Sequence, residues 1–66
     1  MITTTYDPQA DAMYIYLAPK GAKVVETREV EPGIHADVGE DGKIVGIEVL
    51  DVSTRTDTQR FEKHAA

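Results

Sequence analysis

Cysteine and tryptophan are absent from this chain of 66 residues, and Phe61 is its single phenylalanine. Without cysteine there is no disulfide and no thiolate metal site. Basic residues are also scarce, seven Lys and Arg against twelve Asp and Glu, for a net charge of −5. The seven are scattered and form no stripe, and three Tyr and one Phe offer little for bases to stack on, so no direct contact with nucleic acid is expected. No apolar run approaches the roughly 20 residues of a membrane helix, so no membrane partner is expected either. Met1-Ile2-Thr3-Thr4-Thr5 lacks the basic and apolar regions of a signal peptide, and the expected location is the cytoplasm. A Gly-rich phosphate loop, a nucleophile elbow and a His-x-x-x-His pair are missing too, so no cofactor and no metal is expected.

What remains is one small domain. A chain this short buries only about 60% of its unfolded surface, which leaves a marginal core. Domains below roughly 70–80 residues are often supported by disulfides, a metal or self-association. With the first two excluded, a homodimer is expected. The acidic surface favours a basic protein as a further partner.

The pattern is that of strands. Ile2 to Tyr6 is β-branched and aromatic and predicts a first strand. Asp7-Pro8-Gln9-Ala10-Asp11 is a turn in which Asp7 accepts backbone N–H bonds from just ahead. Ala12 to Leu17 alternates, with Met13, Ile15 and Leu17 on one side and Tyr14 and Tyr16 on the other. A helix over Gln9 to Leu17 is the rival, but Tyr-Ile-Tyr suits a pleated surface and Pro19 follows at once. Lys23 to Glu31 predicts a third strand with polar alternation. Pro32-Gly33 fits the centre of a type II turn, which would set Val30 against His35 and Arg28 against Asp37. The fold class is thus mainly β (β-rich α+β), an antiparallel meander of four or five strands over residues 1–52. Residues 53–66 are polar and form a short helix or tail, with Thr56 and Gln59 at capping-box spacing and a helix predicted from Asp57.

Asp41-Gly42 sits between two apolar runs and signals a hairpin over Ile34 to Leu50, because a tight primed turn needs φ > 0 at both central positions. Its register sets Val38 against Val45, Ala36 against Ile47 and Ile34 against Val49 on one face. The other face carries Asp37 opposite Gly46 and His35 opposite Glu48. Opposed side chains lie about 4.5–5.5 Å apart at Cβ, close enough for an imidazole–carboxylate bond. His35, Glu48 and Asp37 are therefore the candidate catalytic residues, with His35 as acid or base, Glu48 orienting it, and Asp37, Arg28 or a tyrosine positioning the substrate. The bland reading is a cross-strand polar pair at a rim or interface.

Strand five reads as apolar on both sides, with Val45, Ile47 and Val49 backed by Ile44 and Leu50, and Tyr14 and Tyr16 do the same for strand two. A lone sheet with one wet side alternates more strictly. Tyr14, Tyr16, Ile44, Leu50 and Arg28 are accordingly the candidate interface residues, on a face that meets a second copy or another protein. Residues 37–48 also match much of an EF-hand loop, but Gly39 and Val45 stand at two ligand positions and the flanks read as strands, so strand alternation explains them better. The acidic turn from Asp7 to Asp11 reads as a capped turn, His64 as a solvated tail residue and Ser53 as a loop or cap residue.

Two blocks carry a resemblance. Tyr6-Asp7-Pro8-Gln9-Ala10-Asp11-Ala12-Met13-Tyr14-Ile15-Tyr16-Leu17, and Asp41-Gly42-Lys43-Ile44-Val45-Gly46-Ile47-Glu48-Val49-Leu50-Asp51 with Asp37 before it, resemble a family of small bacterial proteins, domain of unknown function 2283. The likeness spans about residues 6 to 53. It implies a compact β-rich cytoplasmic protein with no established reaction. Some family members are encoded beside small toxin-like proteins, which implies an antitoxin or partner-binding role. The resemblance assigns no functional residues, and His35 stands where the pattern is often aliphatic.

Two functional readings follow. One is a small acidic, homodimeric protein-binding module, antitoxin-like in type. The other is a small enzyme of isomerase, cyclase or hydrolytic type, with His35 at a subunit interface.

Overall fold

A computed structural model describes residues 2–56. Five antiparallel strands, β1 (Thr3–Asp7), β2 (Ala12–Tyr16), β3 (Glu26–Glu31), β4 (Ile34–Val38) and β5 (Ile44–Val49), precede one short helix, α1 (Val52–Arg55). They form a single open sheet in the order β1-β2-β5-β4-β3. The mainly β class follows from the alternation of β-branched and aromatic residues. The helix predicted from Asp57 lies outside the described residues.

Strand order departs from a sequential meander at one place. A β1–β2 hairpin and a β3–β4–β5 meander join side by side, so that β5 lies in the centre between β2 and β4. The link from β2 to β3 crosses one end of the sheet. The N–H groups of Leu17 and Ala18 both donate to the Val45 carbonyl, and the Val25 N–H donates to that of Val38. At the crossing the chain passes under the β4–β5 turn, where Lys23 lies close to Gly39.

That turn is one residue longer than a two-residue primed turn. The Gly42 N–H donates to Gly39 and the Gly39 N–H to Lys43. Among the turn residues only Gly42 has positive φ, at 81°. Glu40, Asp41 and Gly42 thus form a three-residue loop, a tight turn closed by a left-handed glycine. The Asp41 carboxylate accepts the Lys43 N–H at 3.0 Å. The extra residue is absorbed by an irregularity between Asp37 and Val38, which sets Val38 against Ile44 instead of Val45. Beyond it the register is as predicted: Asp37 with Gly46, Ala36 with Ile47, His35 with Glu48 and Ile34 with Val49.

A second irregularity lies between Glu29 and Glu31 in β3. It bulges Val30 out, 65% exposed, and shifts the pairing by one. Glu29 then faces His35, Arg28 faces Ala36 and Thr27 faces Asp37. Because side chains alternate with period 2, a one-residue slip moves Arg28 to the opposite face from Asp37. There it pairs with Glu26 at 2.7 Å.

One face of the sheet is apolar, with Met13 and Ile15 on β2, Ile47 and Val49 on β5, and Ile34, Ala36 and Val38 on β4. Ala36 and Val38 are the buried hydrophobic residues among those described, each 4% exposed. Among the described residues the extensive packing between elements is that of neighbouring strands within the one sheet. The expectation of two apolar faces is corrected. The bulge at Val45 sets Ile44 against the apolar side, 47% exposed, and Leu50 lies beyond the end of β5. No described helix is long and apolar enough to cross a membrane.

Helix α1 has four residues and no side-chain cap of its own, so it is held by its neighbours. The Asp11 carbonyl accepts the Val52 N–H at 3.1 Å. The Asp11 carboxylate accepts the Ser53 N–H at 3.1 Å and its hydroxyl at 2.7 Å. On the other side the Arg55 guanidinium donates to the carbonyls of Leu50 at 2.9 Å and Pro32 at 2.6 Å, and meets Glu31 at 3.2 Å. The helix thereby staples the β1–β2 turn to the Pro32-Gly33 turn.

Candidate functional site

The polar face is built from two cross-strand rows. In the first, Tyr14 on β2, Glu48 on β5, His35 on β4 and Glu29 on β3 lie in register across four strands. In the second, Tyr16, Gly46, Asp37 and Thr27 do the same. The predicted trio of His35, Glu48 and Asp37 therefore shares one face, with both tyrosines beside it. Arg28 is absent from that face for the reason given by the β3 bulge.

Gly46 is the pivot between the rows. It is buried in the central strand, and a Cβ placed there would fall inside the Tyr14 ring. With hydrogen in that position, Tyr14 lies across β5 and its hydroxyl donates to Asp37 Oδ2 at 2.5 Å. Thr27 donates its hydroxyl to Oδ1 of the same carboxylate at 2.6 Å. Three strands are tied through one aspartate. Burial of the phenol, with the Asp37 bond and charge adding to it, pushes the Tyr14 pKa up to about 12. The phenol is thus held as a donor through the physiological range, and it is not a base. Tyr14 and Tyr16 pack tilted, with ring centroids 4.6 Å apart, and Lys20 Nζ lies 5.3 Å from the Tyr16 centroid.

His35 sits between two carboxylates. Its Nδ1 is 3.6 Å from Glu48 Oε1 and its Nε2 is 3.8 Å from Glu29 Oε2. Both distances exceed a hydrogen bond. Nδ1 is buried with no hydrogen-bond partner among the described residues. Glu29 enters this row only because of the β3 bulge, which alternation alone does not show. A shallow recess lies toward β1, lined by Thr5, Asp7, Ala12, Tyr14 and Glu48 but not by His35.

At the stapled end, the Tyr6 hydroxyl donates to Asp11 Oδ1 at 2.8 Å. The bonds from Ser53 and then Tyr6 hold the Asp11 carboxyl below its ordinary value, while the Asp11 bond raises the Tyr6 phenol. Asp7 accepts the Gln9 N–H at 3.0 Å, as a turn residue should. Among the described residues no group of three or more His, Asp or Glu is placed to hold a metal.

Comparison with known proteins gives a family and nothing nearer. The family model described as a protein of unknown function (DUF2283) matches residues 3–53. No curated protein and no solved structure matches the chain.

Proposed function

The chain belongs to the DUF2283 family, and from that premise we propose that it is a homodimeric protein-binding β module. The observation that carries this reading is the apolar sheet face, beside which the extensive packing among the described elements is that of neighbouring strands. Met13, Ile15, Ile34, Ile47 and Val49 on that face are only half-buried. Burying such side chains contributes roughly 1.5–3 kcal/mol each, comparable with the whole margin of so small a fold. The net charge of −5 selects a basic partner. A small toxin-like protein meets that description, and an antitoxin-like role in a bacterial cytoplasm is the form of this reading that the family resemblance implies. Co-purification with a small basic protein encoded beside it, abolished by Ile15→Glu with the fold intact, is the expected result. A clean preparation from the native host, with no bound protein, contradicts the partner half. A strict monomer by sedimentation at tens of micromolar contradicts the dimer half.

One observation favours a second reading as a small acid–base enzyme, the buried His35 Nδ1 without a hydrogen-bond partner, 3.6 Å from Glu48. In that reading His35 takes and returns a proton, Glu48 orients it and Asp37 lies beside them. His35→Ala would then abolish turnover and leave folding intact, and unchanged turnover would end the idea.

A further inference from the structure

The two outer strands of the sheet differ sharply. An open edge presents unpaired N–H and C=O groups and invites another strand unless it is charged, bulged or covered. The β3 edge is protected twice, by Glu26, Arg28, Glu29 and Glu31 and by the bulge at Val30. The β1 edge has no bulge, and its one charged residue, Asp7, stands at the strand's end. From Ile2 to Tyr6 it carries no charge and no proline. Its pairing with β2 runs without irregularity from Thr3 to Asp7. All five strand residues are exposed, and among the described residues no strand lies on its outer side.

We propose that this edge is where two copies of the chain join, β1 against β1 in antiparallel fashion, making one continuous ten-stranded sheet. The inference rests on the homodimer reading above and deepens it by naming the surface. An isologous contact of this kind has its two-fold axis normal to the sheet, so residues of like face oppose one another. A register centred on Thr4 sets Thr4 against its own copy and Thr3 against the copy's Thr5. It also sets Ile2 against the copy's Tyr6, twice. Ile2 and Tyr6 are 66% and 49% exposed in the single chain, and an aromatic opposite a β-branched residue is a favourable cross-strand pair. Charge agrees with this choice. The two Asp7 carboxylates fall at opposite ends of the paired strands, roughly 20 Å apart, beyond the screening length at physiological salt. The same pairing through β3 would bring six glutamates together, three from each copy. Both apolar faces then lie on one side of the joined sheet, which doubles the surface offered to a partner.

The lack of native cysteine makes the test clean. Opposed residues of an antiparallel pair have Cα atoms about 4.5 or 5.5 Å apart, within disulfide span. Under mild oxidation the Thr4→Cys chain should link into a covalent dimer, while Val30→Cys on the β3 edge should stay unlinked. Ile2→Asp should weaken the dimer roughly tenfold or more in sedimentation, with circular dichroism unchanged. A dimer in which Val30→Cys links as readily as Thr4→Cys, or which Ile2→Asp leaves intact, overturns this edge and spares the homodimer. A wild-type monomer at the same concentrations overturns both.

Discussion

The two faces of this sheet are held by different physics. The polar face is wired: Tyr14 and Thr27 converge on Asp37, and Gly46 clears the path between them. The centre of the apolar face is held by burial, through Met13, Ile15, Ile34, Ile47, Val49 and the small buried pair of Ala36 and Val38, while directed bonds on that side, Arg28 to Glu26 and Tyr6 to Asp11, stand on the outer strands. Directed bonds fix register, because a hydroxyl that misses its carboxylate by one residue leaves a polar group unpaired. Apolar burial is tolerant of register detail and available to any complementary surface. Substitutions on the polar face should therefore damage folding, and substitutions on the apolar face should damage association.

The sharpest way to break the contrast is Gly46→Val. The new side chain collides with the Tyr14 ring and expels it from Asp37, and overpacking of this kind costs roughly 3 kcal/mol. The urea midpoint should fall far enough to leave the chain largely unfolded at room temperature. Tyr14→Phe keeps the ring and removes only the donor to a carboxylate, a loss of about 1.5–3 kcal/mol in the same measurement. It should also change the alkaline limb. The Tyr14 pKa is raised from 10.0 to about 12. Its contribution is thus complete below pH 10 and drains away as pH climbs through about 12. Absorbance titration of the phenols should lose that late step in Tyr14→Phe.

Arg55→Ala tests the staple at the end of the sheet. It frees the carbonyls of Leu50 and Pro32 to water, at a cost of about 1 kcal/mol, and should appear as faster hydrogen exchange at Val52 and Thr56. The smallest effect is expected at His35. With both carboxylates beyond hydrogen-bond distance, His35→Gln should cost no more stability in thermal unfolding than an exposed ion pair contributes, about 0.5 kcal/mol. A larger loss would mean that the imidazole is tied as firmly as Tyr14.

Much of this arrangement was legible in the residues. Alternation located the strands, and the pairings of His35 with Glu48 and Asp37 with Gly46 emerged from one hairpin. The bulges did not, since Val45 simply follows Ile44 and Val30 stands between two glutamates as an alternating strand residue would, and nothing local marks an extra residue. Arg28 was misplaced for that reason, and Ile44 with it. The ties of Asp11 to Ser53 and of Arg55 to Pro32 were invisible because they depend on strand order, which puts residues 42 and 23 positions apart side by side. One signal was readable and missed. A glycine inside an otherwise β-branched strand marks close approach by another group, and Gly46 with Tyr14 is that case.

The account turns on the apolar face being open in the folded chain. An apolar fluorescent dye, added to the full-length protein while its near-ultraviolet circular dichroism shows fixed packing, reads this directly. The dye should brighten with the native protein and dim with Ile15→Gln. A dark dye that brightens only as the protein unfolds would mean that the face is already covered, and would contradict the proposal that it receives a partner.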